Sequence, residues 1–338
     1  MLVLAAGVAA APFILAACSS PGTSASSTST TSRGSGSTAG STTTAAGSGT
    51  ASVGSGVTTW VGSPVSQTAI PLGDGKVSTS PKVGDEDSCT LSFRGGGARS
   101  NPPWIDTTND TWNFKAKVAV EGTNSWPNAA HSFALGGSNR MLTTNDLPDP
   151  GTTGNFPIAT SDPAYQYDTN PNHVAAQSFS WTVPANPTAT ATPSCTGLGP
   201  IGVLTNGVIM FNALDDAGRD AGAHEVQDSC DGHPQGRDIY HYHDFSACLQ
   251  PAANSAAGSS TLIGYSLDGY GVYVERDSHG NLPTDADLDA CHGRTSTVLW
   301  DGKPTTMYHY DVTLEYPYFV GCYHGTPVSS GAGPAPEP

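Results

Sequence analysis

The chain has 338 residues, with 40 glycines and 26 prolines, and its 29 Asp plus Glu against 13 Lys plus Arg give a formal net charge of −16. That balance excludes a nucleic-acid partner, because phosphate binding needs clustered cations. It suits an exported, soluble surface that favours cations.

Residues 1–18 read MLVLAAGVAAAPFILAAC, an uncharged apolar run closing on Leu15-Ala16-Ala17-Cys18. Small residues directly before a cysteine match a bacterial lipobox, so the segment is expected to be a lipoprotein-type signal peptide with Cys18 as the lipidated residue. The expected location is extracytoplasmic, as a cell-surface lipoprotein held to the membrane by its lipid anchor or as a secreted protein. No Lys or Arg precedes the run, which leaves the true start codon open. Residues 19–57 are almost pure Ser, Thr, Gly and Ala. Such a composition cannot bury enough apolar surface to offset the entropy of ordering, so it predicts a disordered stalk that gives reach.

Residues 58–109 form a lead-in to the folded part. Short β-rich runs follow: TWNFKAKVAV from Thr111, QSFSWTVPA from Gln177, GVIMFNAL from Gly207, TLIGYSLDGYGVYV from Thr261 and TMYHYDVTLEY from Thr306. Asn-Gly, Asp-Gly and Pro-rich turns separate them. One short helix is expected at Thr284, with Asp287 three residues on. The expected fold is mainly β, a compact disulfide-stapled domain with a few short helices and an internal duplication of a strand unit. A flexible tail at 326–338 closes the chain.

The duplication shows in four ordered correspondences. TNGVIMFNALD (205–215) parallels LDGYGVYVERD (267–277), DSCDGH (228–233) parallels DACHGR (289–294), IYHYHD (239–244) parallels MYHYDV (307–312), and Cys248 parallels Cys322. The repeat units run from about 201 to 250 and from 261 to 325. Besides Cys18 there are six cysteines, Cys89, Cys195, Cys230, Cys248, Cys291 and Cys322, an even number that in an exported chain implies three disulfides. Fifteen pairings are possible. The one that keeps each repeat self-contained joins Cys89 to Cys195, Cys230 to Cys248 and Cys291 to Cys322.

GRDIYHYHDFSACL, LIGYSLDGYGVYV, LDACHGR and EYPYFVGCYHG, with TTNDLPDPGTTGNFP further upstream, make residues 110–325 resemble the YHYH domain proteins, an exported group named for the tetrapeptide at Tyr240–His243. The resemblance implies a domain type without a settled activity. The second copy departs from it, with Asp311 where the first has His243.

Residues i and i+2 of a strand share a face about 6.6 Å apart, so His241 and His243 can converge on one ion. His309 and Asp311 have the same spacing. If the two strands pair or face each other, His241, His243, His309 and Asp311 make a three-nitrogen, one-oxygen set suited to zinc, copper, iron or manganese. His233 and His292, beside the repeated cysteines, are possible extra ligands, while His224 and Glu225 in AGAHEV have no partner at helical spacing. No nucleophile elbow, nucleotide-binding glycine loop or EF-hand spacing occurs, so no nucleotide cofactor is expected and catalysis stays open. Two further readings remain. One is a cell-envelope or glycan-binding module, using its tryptophans to hold an envelope polymer or small molecule without metal. The other is a purely structural domain whose four candidate ligands point apart.

Overall fold

The computed structural model describes residues 62–95, 98, 101–249 and 252–331. The signal segment with Cys18, the stalk and the end of the tail lie outside the described residues. Among the described residues, no helix is long and apolar enough to cross a membrane.

The core is one eight-stranded sheet. Its strands are β1 (Pro200–Leu204), β2 (Ile209–Phe211), β3 (Gly232–Gln235), β4 (Ile239–Tyr242), β5 (Ser260–Ser266), β6 (Gly271–Glu275), β7 (Gly293–Trp300) and β8 (Lys303–Asp311). Across the sheet they run β3-β4-β2-β1-β5-β6-β8-β7. The order is palindromic about the antiparallel β1–β5 pair. On each side a parallel pair comes next but one, β2 with β4 and β6 with β8, and an antiparallel hairpin closes the edge. The duplicated unit is therefore a four-stranded half-sheet, and two copies meet at a pseudo-twofold axis.

Side chains repeat as the strands do. Tyr240 donates its hydroxyl to Asp228 at 2.8 Å, and Tyr308 does the same to Asp289 at 3.0 Å. Asp228 accepts from the backbone N–H of Cys230 and Gly232, and Asp289 from Cys291 and Gly293, so each carboxylate ties down the turn that enters its edge hairpin. Glycine is required at both hairpin starts. A Cβ on Gly232 would overlap the Tyr240 hydroxyl, and one on Gly293 that of Tyr308. Disulfides join Cys89 to Cys195, Cys230 to Cys248 and Cys291 to Cys322.

Strands β2 and β4 are buried along their whole length, which explains their nearly unbroken apolar and aromatic sequence. Trp104, Trp112, Trp181 and Trp300 are all core residues. Beside the main sheet stands a three-stranded antiparallel sheet, His131–Gly136, Asn139–Thr144 and Phe179–Pro184. Two expectations need correction. Only Thr111–Trp112 of the run starting at Thr111 is strand, because Asn113 caps a 3-10 turn over Phe114–Ala116 with its side chain. The run from Thr261 is two strands, β5 and β6, folded back at Asp268-Gly269, where Gly269 has φ +92°. The short helix expected at Thr284 is a 3-10 turn, Asp285–Asp287, whose Asp287 carboxylate accepts from the Thr284 N–H at 2.9 Å.

Candidate metal centre

In β4, Tyr240 and Tyr242 pack on one face while His241 points to the other, and His243 follows it two residues on. Both histidines are buried, His241 at 2% exposure and His243 at 3%, so neither is a solvated edge residue. In the antiparallel β3–β4 hairpin His233 stands directly opposite His241, which brings a third imidazole to the same face. A carboxylate comes from another element. Asp220 caps the four-residue helix Ala221–His224, and Glu225 ends it with its N–H bonded to the Ala221 carbonyl. Lys117, itself buried, steadies that segment by donating to the Gly222 carbonyl and to the side chain of Gln227.

The four donors form a chain of contacts. Glu225 Oε2 lies 3.2 Å from His233 Nε2 and 3.1 Å from His243 Nε2, and His243 Nε2 lies 3.0 Å from His241 Nε2. The Nδ1 atoms of His241 and His243 face the backbone carbonyls of Ile239 and Asn212. A carbonyl only accepts, so each Nδ1 carries a proton and each Nε2, in the neutral ring, presents a lone pair. Two lone pairs at that separation repel unless a proton on one of them or a shared cation lies between.

The electrostatics follow this arrangement. Burial opposes the charge on Glu225, but the imidazoles of His233 and His243 outweigh it and hold the carboxyl well below its usual range. Burial together with His233 and His243 pushes His241 well below the ordinary imidazole value. His243 moves up, because Glu225 overcomes the cost of burial. His233 and Glu225 are close yet off the line of a hydrogen bond. Both ring nitrogens of His233 and Oε2 of Glu225 are buried without a hydrogen-bond partner. Buried polar atoms left this way are costly unless something else takes their lone pairs.

These side chains line a cavity of about 290 Å³, together with Phe211, Asn212, Asp215, Gln235 and Arg237. Phe211 stacks on His241 with 3.9 Å between ring centroids and so fixes that ring.

Residues 180–282 match the family model described as YHYH protein. That stretch carries a YHYH domain. No curated protein and no solved structure matches the chain. The matched part of the YHYH domain holds β1 to β6, and with them His233, His241, His243 and Glu225, but it stops before β7 and β8.

The shared four-ligand set must be corrected. Strands β4 and β8 are five strand spacings apart, roughly 24 Å at about 4.8 Å each, so His309 and Asp311 cannot reach the ion that His241 and His243 could hold. Two separate groups exist instead, His233 with His241 and His243, and Glu275 with His309 and Asp311. His292 joins neither, since its ring bonds the Phe319 carbonyl and the Thr313 hydroxyl, both at 3.0 Å. His224 pairs with Asp74 at 2.9 Å. Glu225 is the donor that sequence reasoning left unassigned. No spacing links it to the strand histidines, because a helix end and the β3–β4 hairpin meet only in the fold.

Proposed function

We propose that this YHYH-domain protein is an extracytoplasmic metal-binding protein that holds one transition-metal ion through His233, His241 and His243, with Glu225 as the fourth donor. One observation carries the reading: His233, His241 and His243 bring their donor nitrogens within 4.8 Å of one another at the wall of a cavity, and Glu225 Oε2 lies 3.1–3.2 Å from two of them. Two donors each about 2.1 Å from one ion stand roughly 3.0–3.4 Å apart, the spacing of the three adjacent contacts His233–Glu225, Glu225–His243 and His243–His241. The nitrogen-rich set suits zinc, copper, iron or manganese rather than calcium or magnesium.

A bound ion would supply Lewis acidity toward a small ligand entering the cavity. The chain's own part is to hold the donors ready. The Ile239 and Asn212 carbonyls accept from Nδ1 of His241 and His243 and so aim both Nε2 atoms inward, Phe211 packs against the His241 ring, and Glu225 brings the compensating charge. Three disulfides support a location outside the reducing cytoplasm. The lipobox cysteine, Cys18, would tether the domain to a membrane, with residues 19–57 as its stalk.

Metal counted by elemental mass spectrometry on untagged protein, with and without His241→Ala, tests the reading. One ion per chain that disappears in the variant is expected. A folded wild type that retains none of the four metals after equilibration with each would overturn it.

A further inference from the structure

The second half-sheet repeats the geometry of the first with one substitution of kind. Across β7 and β8, Arg294 stands opposite His309 in the register in which His233 stands opposite His241. His309 Nδ1 faces the carbonyl two residues back, that of Met307 at 3.2 Å, just as His241 Nδ1 faces Ile239 at 3.2 Å. Its Nε2 is thereby turned toward Glu275 Oε2 at 3.2 Å and Asp311 Oδ1 at 3.4 Å. The first site has three imidazoles and one carboxylate, whereas this one has one imidazole and two carboxylates. Such a group needs a positive charge to be tolerated when buried. Arg294 supplies it, with Nη2 at 2.8 Å from Glu275 Oε2 and Nε at 2.6 Å from Asp311 Oδ2. Asp311 is fully buried, yet neither of its oxygens has an aligned hydrogen bond, so the guanidinium neutralises it without satisfying it.

We propose that the second half-sheet carries a latent copy of the metal site, closed by Arg294, whose guanidinium stands where an ion would otherwise sit among Glu275, His309 and Asp311. The wild-type chain then binds one ion rather than two. The inference rests on the reading of the first site only for that count. Replacing Arg294 with histidine restores the third imidazole opposite His309 and removes the internal cation, which opens the group to a divalent metal.

The test counts zinc in untagged wild type, Arg294→His, and Arg294→His combined with His241→Ala and His243→Ala, after equilibration and removal of free metal. One, two and one ions per chain are expected. A folded Arg294→His chain that binds no more zinc than wild type overturns the proposal. Should that variant fail to fold, Arg294→Ala combined with His241→Ala and His243→Ala decides: a melting temperature that zinc raises in this chain but not in His241→Ala/His243→Ala alone supports the proposal, and one indifferent to zinc overturns it. The two readings fail separately. An empty wild type with a one-zinc Arg294→His removes the first site and keeps the second, while one zinc in both does the reverse.

Discussion

His241 and His243 bring their Nε2 atoms to 3.0 Å while their Nδ1 atoms face backbone carbonyls. Two residues of separation along a strand produce the proximity, and the Ile239 and Asn212 carbonyls hold both lone pairs turned inward. Loss of either ring should therefore weaken metal binding beyond the roughly 10- to 100-fold that loss of an outer-shell partner costs. His241→Ala and His243→Ala are each expected to do so in zinc titration calorimetry. Glu225→Gln, which keeps a carbonyl oxygen as a weaker donor, is expected to fall between them and wild type.

The glycines that open the two edge hairpins offer a paired comparison. Gly232→Ala and Gly293→Ala each force a methyl against a buried tyrosine hydroxyl, and each should cost about 1–3 kcal/mol, read from denaturant melts. Their effects on metal differ. Gly232 precedes His233, so its substitution should also lower zinc affinity, while Gly293→Ala, in the other half-sheet, should leave it near wild type. Equal losses of affinity in both would contradict two independent sites.

Stability should depend on pH through the second half-sheet. Burial works against both charges there, yet Asp311 and Glu275 push His309 up from 6.5 to about 9, and His309 and Arg294 bring Glu275 down from 4.5 to about 2. A raised histidine contributes stability that is complete below 6.5 and lost as pH rises toward 9. A depressed carboxyl contributes stability present above 4.5 and lost as pH falls toward 2. The network's contribution should thus peak between those limits. In thermal melts, His309→Gln should flatten the decline on the alkaline side, and an unchanged slope would show that the decline arises elsewhere.

The disulfides should contribute unequally. Cys89–Cys195 spans 106 residues of chain and Cys230–Cys248 only 18. Loop-closure entropy then predicts losses of about 4.7 and about 3 kcal/mol when each pair is replaced by serine. Chemical denaturation of the two double variants measures the difference. A larger loss from the short loop would mean that local packing near Asp228 matters more than chain entropy.

Much of this is legible in the sequence. The strand character, the four ordered correspondences and the His-x-His spacing are local or repeated patterns, and a repeat preserves its pattern because both copies must bury the same faces. The hairpin His131–Gly136 with Asn139–Thr144 also had a local signal, the Gly137-Ser138 turn between alternating residues, although it was not among the strands expected. Glu225 had none. It reaches the histidines from the end of a helix that a buried lysine more than 100 residues earlier helps to hold.

By itself the sequence determined that two copies of one strand unit exist and that each carries a histidine with a potential ligand two residues on, since alternation along a strand is a property of the backbone alone. Only the tertiary structure decided how the copies meet. The antiparallel pairing of β1 with β5 places the two histidine strands near opposite edges of one sheet, and hydrogen bonding between neighbouring strands fixes that separation. Each half therefore had to complete its own group from whatever stood across its hairpin, His233 in one and Arg294 in the other.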